Sequence, residues 1–92
     1  MLCKIDKVIR KSVGTTAVSI PVNGLACFVK NNSADATIFI KDAEVDGVKA
    51  SAANGYPLAA GQSTPVPLVA VDLSVVADKA STDVCVMLID EG

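Results

Sequence analysis

The residues with the plainest chemical capacity are three carboxylates at alternate positions, Asp42, Glu44 and Asp46, followed by Gly47 in the segment DAEVDG. Alternating oxygen donors ahead of a turn-forming glycine are how a helix–loop–helix calcium loop begins. The match then fails. Glu stands at the third position in place of Asp or Asn. Ala53 occupies the twelfth, where a bidentate Glu is needed, and no helical pattern flanks the loop. Alternate carboxylates on an extended segment share one face and point to water. The segment reads first as a solvated acidic turn and only second as a weak calcium site. No other metal and no cofactor is expected.

Catalysis finds little to work with. The chain contains no His, so a Ser or Cys nucleophile would lack its usual base, and no side chain has an unperturbed pKa near neutrality. There is no S-x-x-K motif and no glycine-rich phosphate loop. The carboxylate pair Asp90–Glu91 lies at the end of the sequence, where order is uncertain. An enzyme is not expected. Cys3, Cys27 and Cys85 are odd in number and widely spaced. They fit neither a disulfide framework nor a zinc site and read as small buried hydrophobes.

Two features suggest contact with a partner. Lys4, Lys7, Arg10 and Lys11 make the first strand-like segment basic. This can be charge protecting a sheet edge or a face that docks an acidic surface. With Asp6 interrupting it, no aromatic beside it and an overall charge of −2, nucleic acid is not the expected partner. The second feature is Tyr56, the only tyrosine, in NGYPLAAGQS. Pro57 biases Tyr56 toward an extended conformation, and Gly55 and Gly61 permit reversals on either side. The segment reads as an extended loop. Leu58 is expected to anchor it inward while the Tyr56 ring covers the open end of the core with its hydroxyl wet.

The elements that must position these residues are strands. Gly14, Asn23–Gly24, Asn31–Asn32–Ser33, Asp46–Gly47, Asn54–Gly55, Gly61 and Asp78 punctuate short stretches rich in Val, Ile, Thr and Phe. That pattern predicts an all-β sandwich or barrel. CKIDKVIRKSV reads as an edge strand. TAVSIPV places Thr16, Val18, Ile20 and Val22 on one face. LACFVKN places Leu25, Cys27 and Val29 opposite Ala26 and Phe28, and ATIFIKD places Ile38 and Ile40 together. Asn23–Gly24 favours a tight reversal. AEVDGVKAS is expected to form short strands about a turn, and LSVVAD another strand. TPVPLVAV and the last strand, DVCVMLI, are apolar on both faces. A sandwich has one interior, so a two-faced strand points to contact with another chain, or else to cover by a loop of its own chain.

Length and composition agree with one domain spanning residues 1–92. Half of the residues are apolar but only 3% are aromatic, so the core must be built from small branched groups. No run of apolar residues is long enough to span a bilayer as a helix, and the first residues lack the apolar stretch of a secretory signal. The expectation is assembly in a cytoplasm, with no membrane partner.

The segments KVIRKSVGTTAVSIP, VKNNSADATIFIKD, GVKASAANGYPLAAGQSTPVPL and VDLSVVADKASTDVCVML together resemble a loose family of small bacteriophage virion proteins. The resemblance runs from about Val8 to Leu88 and rests on strand and turn motifs. It implies a single small antiparallel β-sandwich, jelly-roll-like, with an immunoglobulin-like strand order left open. It further implies a capsid decoration or cementing protein on the outer capsid surface, often a homotrimer, with the major capsid protein as partner. Lys4, Lys7, Arg10, Lys11 and Tyr56 are then the candidate contacts. A recognition module on a head or tail fibre and a non-virion phage binding protein are the alternatives. The acidic DAEVDG segment is not a feature of that family.

Overall fold

The computed structural model describes residues 4–22, 26–42, 49–66 and 72–90. They form eight strands: β1 (Lys4–Val13), β2 (Val18–Pro21), β3 (Ala26–Asn31), β4 (Ile38–Asp42), β5 (Tyr56–Leu58), β6 (Ser63–Val66), β7 (Asp72–Ala77) and β8 (Thr82–Asp90). Two four-stranded sheets result, with orders β1-β8-β3-β6 and β2-β7-β4-β5. Every pairing is antiparallel. Apart from β4 to β5, each strand is followed by one in the other sheet. This is the eight-strand jelly roll. An immunoglobulin-like order is thereby replaced, because in the jelly roll the first and last strands are neighbours.

Alternation decides which side chains meet between the sheets. Ile20, Val22, Cys27, Val29, Ile38, Ile40, Leu73, Val75, Val84, Val86 and Leu88 are all buried in one core. Within each strand they share the face that the period of two groups together; on β8, apolar on both faces, the fold turns Val84, Val86 and Leu88 inward. Burying each large aliphatic side chain stabilises the fold by roughly 1.5–3 kcal/mol. A core of small and branched aliphatic groups suffices because β3, β4, β7 and β8 each contribute two or three such side chains at every second position, with Val13, Ile20 and Leu58 added from β1, β2 and β5.

Proline placement follows the same logic. Pro21, Pro57 and Pro65 lie on β2, β5 and β6, which are edge strands of their sheets. A residue without an N–H costs no ladder bond at an edge. The fourth edge, β1, carries charge instead, and a bulge between Ile5 and Lys7 breaks its register against β8. Bulges and lysines are both devices that keep an edge from pairing with another chain.

Two segments depart from expectation. The Tyr56–Leu58 stretch is not a loop but a short strand paired with β4, with Leu58 opposite Ile38 and Tyr56 opposite Ile40. The strand read over TPVPLVAV is β6 as far as Val66, and residues 67–71 lie outside the described part. Asn23–Gly24 also lies outside it, and the strands on either side, β2 and β3, belong to different sheets.

One end of the sandwich is held by a buried amide. Asn31, the last residue of β3, is fully buried. Its Nδ2 donates to the carbonyls of Ala36 (2.8 Å) and Leu58 (2.9 Å). Its Oδ1 accepts from the Ser33 amide (3.1 Å) and hydroxyl (2.6 Å). One side chain thus joins β3 of the first sheet to the β3–β4 turn and to β5 of the second. All its donors and acceptors are used, which is what makes a buried amide tolerable.

Candidate interaction surface

The two sheets treat their outer faces differently. On the second sheet, Ser74 and Val76 point away from the core, yet both are buried. The chain before β5 folds back over them. Ala50 donates its amide to Ser74 Oγ at 2.9 Å. Gly55 lies so close to β4 that a Cβ there would sit 2.7 Å from Phe39 Cβ. This turn is closed by the Gly55 amide on the Ser51 carbonyl (2.9 Å) and by the Asn54 side chain, which accepts from the Ser51 amide (2.7 Å).

The outer face of the first sheet is open. Register sets Val8 beside Met87, Met87 beside Phe28, and Phe28 beside Pro65. An apolar row therefore crosses all four strands. Val8 is 52% exposed and Phe28 45%; Met87 is half-buried and Pro65 exposed. The two-faced character of β8 is thus accounted for. Val84, Val86 and Leu88 face the core, while Cys85, Met87 and Ile89 look outward from the middle of a sheet, screened only by neighbouring strands. The next row is polar: Arg10, Cys85, Lys30 and Ser63. Beyond it, Arg10 makes an ion pair with Asp83, and Asn32 Nδ2 donates to the same carboxylate oxygen at 3.0 Å. The hydrogen bond from Arg10, then that from Asn32, holds the Asp83 carboxyl below its ordinary pKa. Both charged groups of this pair are solvent-exposed.

The residues singled out from the sequence do not form one site. Lys7, Arg10 and Lys11 are exposed on β1, but on different sides. Arg10 faces outward beside Val8, whereas Lys7 and Lys11 share the inward parity of Ile9 and Val13 and reach water past the sheet edge. Lys4 is on β1 opposite Asp90, its side chain outside the described residues. Tyr56 belongs to the far flank, since β5 is joined to β6 by the short turn 59–62 and β6 is the edge opposite β1. Its ring does not cover the core: Tyr56 is 61% exposed, and Leu58 alone fills the inward position. β5 is an edge strand, and the ring at its start stands largely in water. Tyr56→Ala should therefore lower stability by less than about 1 kcal/mol, read as a urea midpoint close to that of the unaltered protein.

Of the acidic trio, Glu44 and Asp46 lie outside the described residues, as does the side chain of Asp42, which ends β4. Among the described residues no group of three or more His, Cys, Asp and Glu could hold a metal. Cys27 is buried with its thiol pushed above the ordinary pKa by desolvation, while Cys85 is half-buried on the open face; Cys3 lies outside the described residues. In a Cys3→Ser background, maleimide should modify Cys85 under native conditions. Cys27 should react only once urea opens the sandwich. Mass spectrometry of the labelled peptides reads both.

Fold and surface together define a small jelly-roll sandwich with one outer sheet face covered at its centre and the other open. Among solved structures, one from Bacillus endospore appendages, described as forming a novel family of disulfide-linked pili, shares this fold. Its TM-score is 0.55 at 15% identity, covering 96% of this chain and 85% of that one. At that identity the likeness is one of fold. No family model and no curated protein matches the chain.

Proposed function

We propose that this chain is a structural virion protein of a bacteriophage that attaches to the outer surface of the capsid as a decoration or cementing protein. The observation that carries the reading is the open apolar row Val8–Met87–Phe28–Pro65 on a sandwich whose other outer face is buried at Ser74 and Val76 on its central strand β7. Exposed apolar surface of that kind in a small domain marks docking on protein. The resemblance of its strand and turn segments to small phage virion proteins supplies the particle. In this reading the chain performs no catalysis and takes no cofactor. It acts by linkage: a protein that binds only the assembled lattice stabilises it, by about 2.7 kcal/mol per site at a hundredfold excess over its dissociation constant. Arg10, Lys7 and Lys11 on the β1 flank offer positive charge to an acidic capsid surface, and Tyr56 on the opposite flank offers a separate contact.

A second reading is a subunit of a bacterial surface filament, favoured by the fold shared with the endospore appendage structure over nearly the whole chain. Quantitative mass spectrometry separates the two. A fixed, high ratio of this chain to major capsid protein in gradient-purified particles supports decoration. A few copies per particle indicates a tail or fibre part. Recovery in sheared filaments without capsid protein supports the second reading, and absence from both fractions overturns both.

A further inference from the structure

We infer that Asn54 is a self-modification site: the Gly55 backbone nitrogen converts its carboxamide to a succinimide, which water opens to aspartate or isoaspartate, and the reaction proceeds only when the 51–55 turn lifts off the second sheet. The inference does not rest on the capsid reading.

The reaction needs a carboxamide, a following backbone nitrogen that can reach it, and freedom for the two to turn toward each other. The sequence supplies the first two. Gly55 has no Cβ to crowd its nitrogen, and Asn54 is exposed to water. The Gly55 nitrogen gives its proton to solvent base and bonds to Asn54 Cγ. The Cγ–Nδ2 bond breaks, and Nδ2 leaves as ammonia. Water then adds at either ring carbonyl and cleaves its bond to the ring nitrogen. Cleavage at Cγ leaves an ordinary aspartate. Cleavage at the α-carbonyl routes the main chain through Cβ and Cγ and lengthens it by one atom.

The fold withholds the third requirement. The Gly55 N–H, whose proton must leave, donates to the Ser51 carbonyl at 2.9 Å. Asn54 Oδ1 accepts from the Ser51 amide at 2.7 Å, and Nδ2 donates to the Lys49 carbonyl at 3.1 Å. Both ends of the carboxamide are thus tied to residues that precede it. The turn is itself fastened to the sheet: the Ala50 amide donates to Ser74 Oγ at 2.9 Å, Ser74 is buried, and Gly55 rests against Phe39.

Neither product fits the closed turn. Aspartate puts an oxygen in place of Nδ2, facing the Lys49 carbonyl. Isoaspartate adds a backbone atom beside a residue packed so closely that one added carbon would lie 2.7 Å from Phe39 Cβ and 3.0 Å from the Ser51 carbonyl oxygen. An opening that ends in reaction therefore prevents the turn from closing again. Asn54 is a one-way switch that uncovers Phe39.

The test follows the full chain at mildly alkaline pH, folded and in urea, by mass spectrometry of tryptic peptides. Trypsin separates the asparagines: Asn23 falls in peptide 12–30, Asn31 and Asn32 in 31–41, and Asn54 alone in 50–79. In urea, peptide 50–79 should gain the mass of one deamidation, placed at Asn54 by fragmentation. In the folded protein the same change should run at least about tenfold slower, because several hydrogen bonds must open together first. Ser74→Ala removes the hydroxyl that holds Ala50 and should speed the folded rate at least about threefold without altering the rate in urea. Val86→Ala opens a cavity on the other sheet and lowers the melting temperature without touching the turn, so it should leave the folded rate unchanged. Protein aged in urea and refolded should bind more of an apolar-surface dye than fresh protein. Asn54→Ser aged alongside undergoes every other change and should not. Equal rates in the folded protein and in urea overturn the inference. So does an unchanged Asn54 in urea, a folded rate that follows Val86→Ala rather than Ser74→Ala, or equal dye binding after ageing.

Discussion

Asn31→Asp should be among the most damaging single-atom exchanges in this protein. Only Nδ2 is changed, from a donor of two hydrogen bonds to an acceptor. Its two partners, the Ala36 and Leu58 carbonyls, are themselves acceptors at 2.8 and 2.9 Å in a fully buried site. Two satisfied bonds become two repulsive oxygen contacts, and at neutral pH a charge is buried with no countercharge, held only by the Ser33 amide and hydroxyl. Losses of this kind cost about 3–5 kcal/mol, against a total stability of roughly 5–14 kcal/mol for a domain this size. The melting temperature should fall by about 15 °C or more. The pH dependence identifies the cause. Burial and the facing carbonyls raise the pKa of the new carboxyl in the folded state above its value in the unfolded chain, near 4. The folded state then holds the proton more tightly, so the deficit is smallest below about pH 4 and grows as pH rises toward the folded-state pKa. Asn31→Ala removes the same donors without adding a charge. Its deficit, about 2–4 kcal/mol, should not change between pH 4 and 7 beyond the drift of the unaltered protein. Urea midpoints of the three proteins at both pH values check this. Coincident midpoints would mean that the amide is not the tie between β3 and β5.

The inward faces were legible from alternation alone. Ile20 with Val22, Cys27 with Val29, and Ile38 with Ile40 needed only a period of two and turn residues at their ends; Val84, Val86 and Leu88 were grouped on one face, but β8 is apolar on both, and only the fold turns that face inward. The position of β1 at an edge was legible from its charge. The apolar row was half legible. Periodicity put Phe28 and Met87 on their outward faces, but that Val8 and Pro65 extend the row depends on register across three strand pairs. Register is a long-range property that no local pattern carries. Strand β5 was read as a loop because three residues around a proline show no period. Tyr56 was expected on the core because a lone aromatic is the largest apolar group available. Its place at the end of an edge strand leaves it 61% exposed. Asn31 was hidden by its neighbours: in NNSAD an asparagine looks like a turn residue, and only the turn's closure against β5 buries its amide.

The asymmetry between the two outer faces rests on one glycine, and Gly55→Ala should expose that dependence. A Cβ at Gly55 would lie 2.7 Å from Phe39 Cβ, 3.0 Å from the Ser51 carbonyl oxygen and 3.1 Å from the Ile40 amide nitrogen. None of these is the yielding tip of a long side chain. Two are backbone, and the third is fixed to β4, which pairs with both β5 and β7. The clash must be relieved by moving the 51–55 turn off the sheet, at an overpacking cost of about 2–3 kcal/mol. Gly14 provides the control. Nothing lies within 4 Å of a Cβ there, so Gly14→Ala should stay within about 0.5 kcal/mol of the unaltered protein. The larger consequence concerns association. Lifting the turn strains the Ala50–Ser74 bond and uncovers Val76 and Phe39, giving the domain a second open face. A sandwich with apolar surface open on both sheets can associate through either, each copy offering a fresh surface to the next. Gly55→Ala should therefore both melt earlier and associate more strongly with concentration than the unaltered protein, read by analytical ultracentrifugation.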